Sequence, residues 1–246
     1  MKALHMAQRE DFTGDTGLDL TPFDLIVCNP AIGAGTISAA QIAGRIKHEA
    51  KLFGSTNAHM LGYWTNNSYY NSLLTALNKH LLKDKNGDLV RHHTYNTVYL
   101  MPTPGMYRDY AHWLIEYSKY HIYIDDCTRD YPNSKWGDVQ PHLPNMTYDQ
   151  WNTLYQDGQA TFQAILAGRP ENLLVIANTA GWVIPTLDGI CIERGHHRRL
   201  KSIVALARFV AQWNTTPNPY NVDWYGSWEM PPLVYKGIGI DSLPRQ

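Results

Sequence analysis

Apolar positions along the chain fall into short runs, separated by longer stretches in which they recur every three to four residues. The runs are Asp24–Asn29 (DLIVCN), His59–Trp64 (HMLGYW), Thr97–Pro102 (TVYLMP), His121–Asp126 (HIYIDD), Asn172–Thr179 (NLLVIANT) and Leu187–Gly195 (LDGICIERG). Each reads as a strand. Helical spacing is found in 37–50, where Ile37, Ile42, Ile46 and Ala50 share a face, and again in 72–83, 106–120, 147–167 and 202–213. Thr147 or Asp149 is placed to start the fourth of these, and Asn86-Gly87 marks a turn after the second. Strands alternating with helices predict βα units around a parallel sheet, as a (β/α) barrel or as a doubly wound sheet. The stretch 127–146, with Pro132, Pro141 and Pro144, reads as a long irregular loop of the kind that carries function.

Length sharpens this picture. The chain has 246 residues, close to the roughly 250 of a full eight-unit barrel. The pattern divides it into a lead at 1–23, a (β/α) core at 24–213, and a Pro- and aromatic-rich tail at 214–246 that closes the barrel or meets a neighbour. That leaves space for six clear units, so the expected (β/α)8 TIM-type barrel is incomplete or modified at its last two.

Composition excludes several classes. With 44% hydrophobic and 17% charged residues the chain can bury a core, which rules out disorder and coiled coil. Lys+Arg 21 against Asp+Glu 22, without a basic stripe, disfavours nucleic acid as a partner. Cys28, Cys127 and Cys191 are too few and too widely spaced for a disulfide framework or a CxxC zinc site. The adjacent pairs His92-His93 and His196-His197 lack the spacing that puts two imidazoles on one ion, so no metal is expected. Gly33-Ala34-Gly35 lacks the third glycine of a dinucleotide loop, and no G-x-S-x-G elbow is present. The first residues turn polar before any apolar run develops, and no stretch is long enough to span a bilayer. A cytoplasmic protein is expected, or a virion component if the chain is phage-encoded, with no membrane partner.

Both sheet architectures place function at the C-terminal ends of the strands. Alternation along HIYIDD puts Asp125 opposite Ile122 and Ile124, and along LDGICIERG it puts Glu193 opposite Ile190 and Ile192. Both acids then face one side of the sheet, with one strand between them and their backbones about 10 Å apart. Such a pair suits glycoside hydrolysis, at about 5 Å between carboxyls for retention or about 6.5–9.5 Å for inversion. Structural roles compete with this reading: acids at strand ends cap helices, Asp126 suits a cap or a salt bridge better than catalysis, and Asp188 shapes a turn. Asn29, Tyr63, Trp64, Asp126, Trp136, Asn178, Arg194 and His196 are the candidate substrate-binding residues, since they end strands or lie in the loops that follow. Aromatic rings there stack on sugars or pack in the core.

Phe23-Asp24-Leu25-Ile26-Val27, Leu61-Gly62-Tyr63-Trp64, Tyr123-Ile124-Asp125-Asp126 followed by Trp136-Gly137, and Leu187-Asp188-Gly189-Ile190-Cys191-Ile192-Glu193-Arg194 stand in an order and spacing that resembles glycoside-hydrolase-like barrel families. These are distantly similar to the α-galactosidase and endo-polygalactosaminidase type of (β/α)8 enzyme. The resemblance implies a barrel acting on a carbohydrate, with Asp125 as nucleophile or stabiliser and Glu193 as acid/base, and with no cofactor. Its rival is a non-enzymatic module that binds carbohydrate or builds a larger assembly such as a virion or a homo-oligomer, using the tail for contacts.

Overall fold

A computed structural model describes residues 4–7, 25–28, 51–62, 68–93, 97–118, 121–178, 184, 186–193 and 222–224. A parallel sheet of seven strands organises them: β1 (Leu4–Ala7), β2 (Leu25–Cys28), β3 (Lys51–Asn57), β6 (His121–Asp125), β7 (Val175–Asn178), β8 (Gly189–Glu193) and β9 (Val222–Trp224). They lie side by side in chain order, each parallel to the next. Among the described residues the order never reverses, whereas a doubly wound sheet has a reversal at its switch point. A separate antiparallel pair is formed by β4 (Met60–Gly62) and β5 (Thr97–Tyr99).

The central strands form where side chains can be buried on both faces, as parallel strands require. All four residues of β7 are buried, and so are Ile122, Tyr123 and Ile124 of β6. Ile122, Ile124, Val175 and Ala177 face the helices and join one core with them. Helix α2 (Pro104–Tyr117) starts where Thr103 accepts from Met106 N–H at 3.2 Å, with Pro104 in the first turn. Helix α4 (Tyr148–Ala167) starts with a capping box between Thr147 and Gln150. Its buried stripe, Trp151, Tyr155, Gly158, Phe162 and Leu166, packs on the Met106, Tyr107, Tyr110 and Leu114 stripe of α2. Gly158 is required at this crossing: a Cβ there would overlap the Tyr107 ring and come 2.8 Å from the Pro102 carbonyl. Helix α1 (Ser68–Ala76) precedes a ribbon over residues 81–100, whose turn is closed by Asp84 accepting from Asn86 and Asp88 N–H, with Gly87 at φ 87°. Asp188 shapes the entry to β8 as expected, pairing with Arg169 and accepting from Val175 N–H at 2.6 Å.

Two expectations change. Residues 59–64 and 97–102 do not supply strands of the main sheet: Met60–Gly62 and Thr97–Tyr99 pair with each other instead. The second helix ends at Ala76, with a 3-10 turn at Asn78–His80. The lead supplies a strand to the sheet, β1, and the tail supplies β9. Their three or four residues are too short for a periodicity to show. Two strands lost and two gained before residue 121 cancel, so β6 is still the fourth strand of the sheet and β8 the sixth. The expected helices at 37–50 and 202–213 lie outside the described residues. No helix among the described residues is long and apolar enough to cross a membrane.

Candidate active site at the strand ends

Strand register brings Asn57 level with Asp125, and Asn178 level with Cys191. Asp125 and Asn178 then meet directly, Asn178 Nδ2 donating to Asp125 Oδ1 at 3.0 Å. The same oxygen accepts from Asp126 N–H at 3.0 Å, so the Asp125 carboxylate is oriented by its own turn and by the neighbouring strand. Backbone bonds from Ala58 N–H to Asp125 O (3.0 Å) and from Cys127 N–H to Asn178 O (2.8 Å) lock the three strand ends together. Helix α2 holds β3 from behind: Tyr110 donates to Asn57 O at 3.1 Å and contacts the Thr56 hydroxyl, while Tyr107 donates to Ala58 O at 2.8 Å.

The chain then leaves β6 through Asp126, which has a left-handed φ of 56°. This turns its carboxylate away from the Asp125 position and into an ion pair with Lys135, on the short helix α3 (Asn133–Val139), with Asn57 Nδ2 donating to the same oxygen at 2.7 Å. Burial opposes the charge on Asp126, but the Lys135 ammonium and the Asn57 amide outweigh it and hold the carboxyl below the usual carboxylate range. The other end of Asn57 caps the next turn, its Oδ1 accepting from His59 and Met60 N–H.

His59 lies beneath this ion pair, 1% exposed, between the rings of Tyr131 and Tyr155 at 5.0 Å. Burial, reinforced by the Lys135 charge, lowers its pKa to about 3 against smaller opposing effects from Asp126. The imidazole is therefore neutral at ordinary pH, and among the described residues neither ring nitrogen has a hydrogen-bond partner. Cys127 is also buried and free, its thiol pushed up to about 12 by desolvation, which leaves it unreactive.

Of the candidates named from sequence, the structure brings Asp125, Asp126 and Asn178 together. Trp136 lies beside Lys135 and packs on Tyr148 and Trp151, with ring centroids at 6.1 and 5.7 Å. Glu193 ends β8 level with Trp224, two residues beyond the row of Asn178 and Cys191, and its side chain is outside the described residues. Asn29, Tyr63, Trp64, Arg194 and His196 are outside them altogether. Asn57, His59 and Lys135 escape the sequence pattern. Asn57 ends a strand whose polar residues hide it, and Lys135 carries no local signal of its pairing with Asp126.

No family model matches the chain, and no curated protein does. Among solved structures, the chain is similar to the glycoside hydrolase domain of PelA from Pseudomonas aeruginosa, at 13% identity and a TM-score of 0.45, over 77% of this chain and 65% of that one. It is also similar to a cycloalternan-degrading enzyme from Trueperella pyogenes, at 11% identity and a TM-score of 0.39, over 65% of this chain and 28% of that one. A third similarity is to the glucosidase II alpha subunit, at 14% identity and a TM-score of 0.36, over 65% of this chain and 20% of that one. The chain thus spans about two thirds or less of the length of each.

Proposed function

We propose that this chain is a glycoside hydrolase built on a (β/α) barrel, with Asp125 and Glu193 as its two carboxylates. The observation that carries the reading is the placement of Asp125. It stands at the C-terminal end of the fourth strand of a sheet that winds in one direction, oriented by Asn178 of the next strand. That is where a barrel enzyme presents its catalytic groups. The motif order described above adds the chemistry. Glu193 ends the sixth strand, two interstrand spacings across and two residues further along, which in a flat sheet puts the two backbones about 12 Å apart. The separation of the two carboxyl groups sets the stereochemical outcome, about 5 Å giving retention and about 6.5–9.5 Å inversion. Glu193 serves as the acid that protonates the leaving oxygen, and Asp125 as the nucleophile in the retaining case or as the base in the inverting one.

Asp126 takes the part of a salt-bridge partner rather than that of a sugar contact. Its carboxylate is engaged by Lys135 and Asn57, so it positions the loop that follows β6 and leaves Asp125 as the acid presented at the strand end. Tyr63, Trp64, Asn29, Arg194 and His196 complete the sugar site in this reading. No cofactor is needed for such hydrolysis. Reducing-end assays on a glycan panel test the proposal: Asp125→Asn and Glu193→Gln each abolish turnover while the fold is retained. Glycan binding without hydrolysis by the unmodified chain would favour a carbohydrate-binding module instead.

A further inference from the structure

We infer a second, separate site: a transition-metal site formed by His92, His93 and Asp138. One ligand atom from each lies within 4.8 Å of the other two. His93 Nδ1 stands 2.9 and 3.0 Å from the two Asp138 oxygens, and His92 Nε2 stands 4.0 Å from Oδ2. An ion bound at about 2.0–2.1 Å with tetrahedral geometry wants its ligand atoms about 3.3 Å apart. The observed separations bracket that value, so shifts of a few tenths of an ångström to an ångström bring the three to one centre. The imidazole planes are stacked at 22° with centroids 4.4 Å apart, and one ring must turn for both nitrogens to face the same ion. His93, 66% exposed, is able to do so, while His92 and Asp138 are mostly covered.

The surroundings fit a held ligand set. Tyr99 donates to Asp138 Oδ2 at 2.7 Å and so orients the carboxylate, and His92 is fixed in the ribbon by its N–H bond to Thr97 O at 3.2 Å. Such an outer partner orients a ligating carboxylate. Two imidazoles and one carboxylate select Zn2+, Co2+ or Ni2+ over Mg2+ or Ca2+, and three protein ligands leave a fourth position for water. The spacing of the His pair alone argues against a metal, because it cannot show a third ligand 45 residues away in sequence. The ion would tie the 81–100 ribbon to helix α3, whose Lys135 grips Asp126. The site stands independently of the glycosidase reading.

Calorimetric titration of the full chain with ZnCl2 in a non-coordinating buffer tests the inference, alongside the visible absorption of Co2+. Expected are one ion per chain with micromolar or tighter affinity, tetrahedral Co2+ bands, and weakening of at least tenfold in both His93→Ala and Asp138→Asn. His142→Ala, an exposed histidine outside the cluster, should bind like the unmodified chain. Circular dichroism confirms that each variant is folded. Affinity weaker than millimolar, or affinity unchanged in His93→Ala or Asp138→Asn, would overturn the site.

Discussion

Replacing His59 by phenylalanine should remove a large part of the acid sensitivity of the fold. In the native state the imidazole is buried, without a hydrogen-bond partner, and takes a proton only near pH 3, against about 6.5 in the unfolded chain. A base whose folded pKa is depressed contributes stability that is fully present above the unfolded value and is lost as pH falls from 6.5 toward 3, because the unfolded chain binds the proton first. At about 1.4 kcal/mol per pH unit the whole interval is worth about 5 kcal/mol, comparable with the net stability of a small domain. Asp126 acts in the same direction, but its contribution is lost only below about pH 4, where an unfolded Asp begins to protonate. The window from pH 7.5 to 4.5 therefore isolates the histidine, which should cost about 3 kcal/mol across it. Urea unfolding of both proteins at the two pH values measures this as a double difference. At pH 7.5 the phenylalanine variant should be as stable as the unmodified chain or more so, since it replaces an unpartnered polar ring with an apolar one of similar shape. Equal pH slopes in the two proteins, within about 0.5 kcal/mol, would refute the buried neutral imidazole.

Two further substitutions probe the frame around the site. Gly158→Ala should destabilise by about 1–3 kcal/mol, because the added methyl meets Tyr107 and the Pro102 carbonyl, neither of which can move freely; an unchanged thermal midpoint would contradict this packing of α2 on α4. Lys135→Met strands the Asp126 carboxylate and should cost stability near or below the low end of the about 3–5 kcal/mol typical of a broken buried pair, since Asp126 retains 33% exposure. Adding Asp126→Asn should recover most of that loss, and a double variant no more stable than the single one would show that Lys135 acts through some other contact.

How far the sequence carries can be judged element by element. HIYID, the VIAN segment of β7 and the capped helices α2 and α4 are legible because burial on both faces, alternation and capping residues agree locally. KLFGSTN is not: Lys, Gly, Ser, Thr and Asn make it look like a loop, and what makes it a strand is its position between β2 and β6. HMLGYW is the more apolar run, yet Met60–Gly62 leaves the sheet to pair with Thr97–Tyr99. Within the site, Asp125 is legible from alternation along a single strand. Asn57 bonding to Asp126 and His93 bonding to Asp138 join residues 69 and 45 positions apart, and no local period encodes such pairs.

The most direct test of the central claim is reducing-end release from a glycan panel by the unmodified chain, by Asp125→Asn and by Glu193→Gln. A glycosidase using this pair should turn over at least one glycan, and each variant should lose at least a thousandfold in rate, a barrier increase of about 4 kcal/mol, with its unfolding transition intact. Either variant retaining turnover like that of the unmodified chain would contradict the assignment.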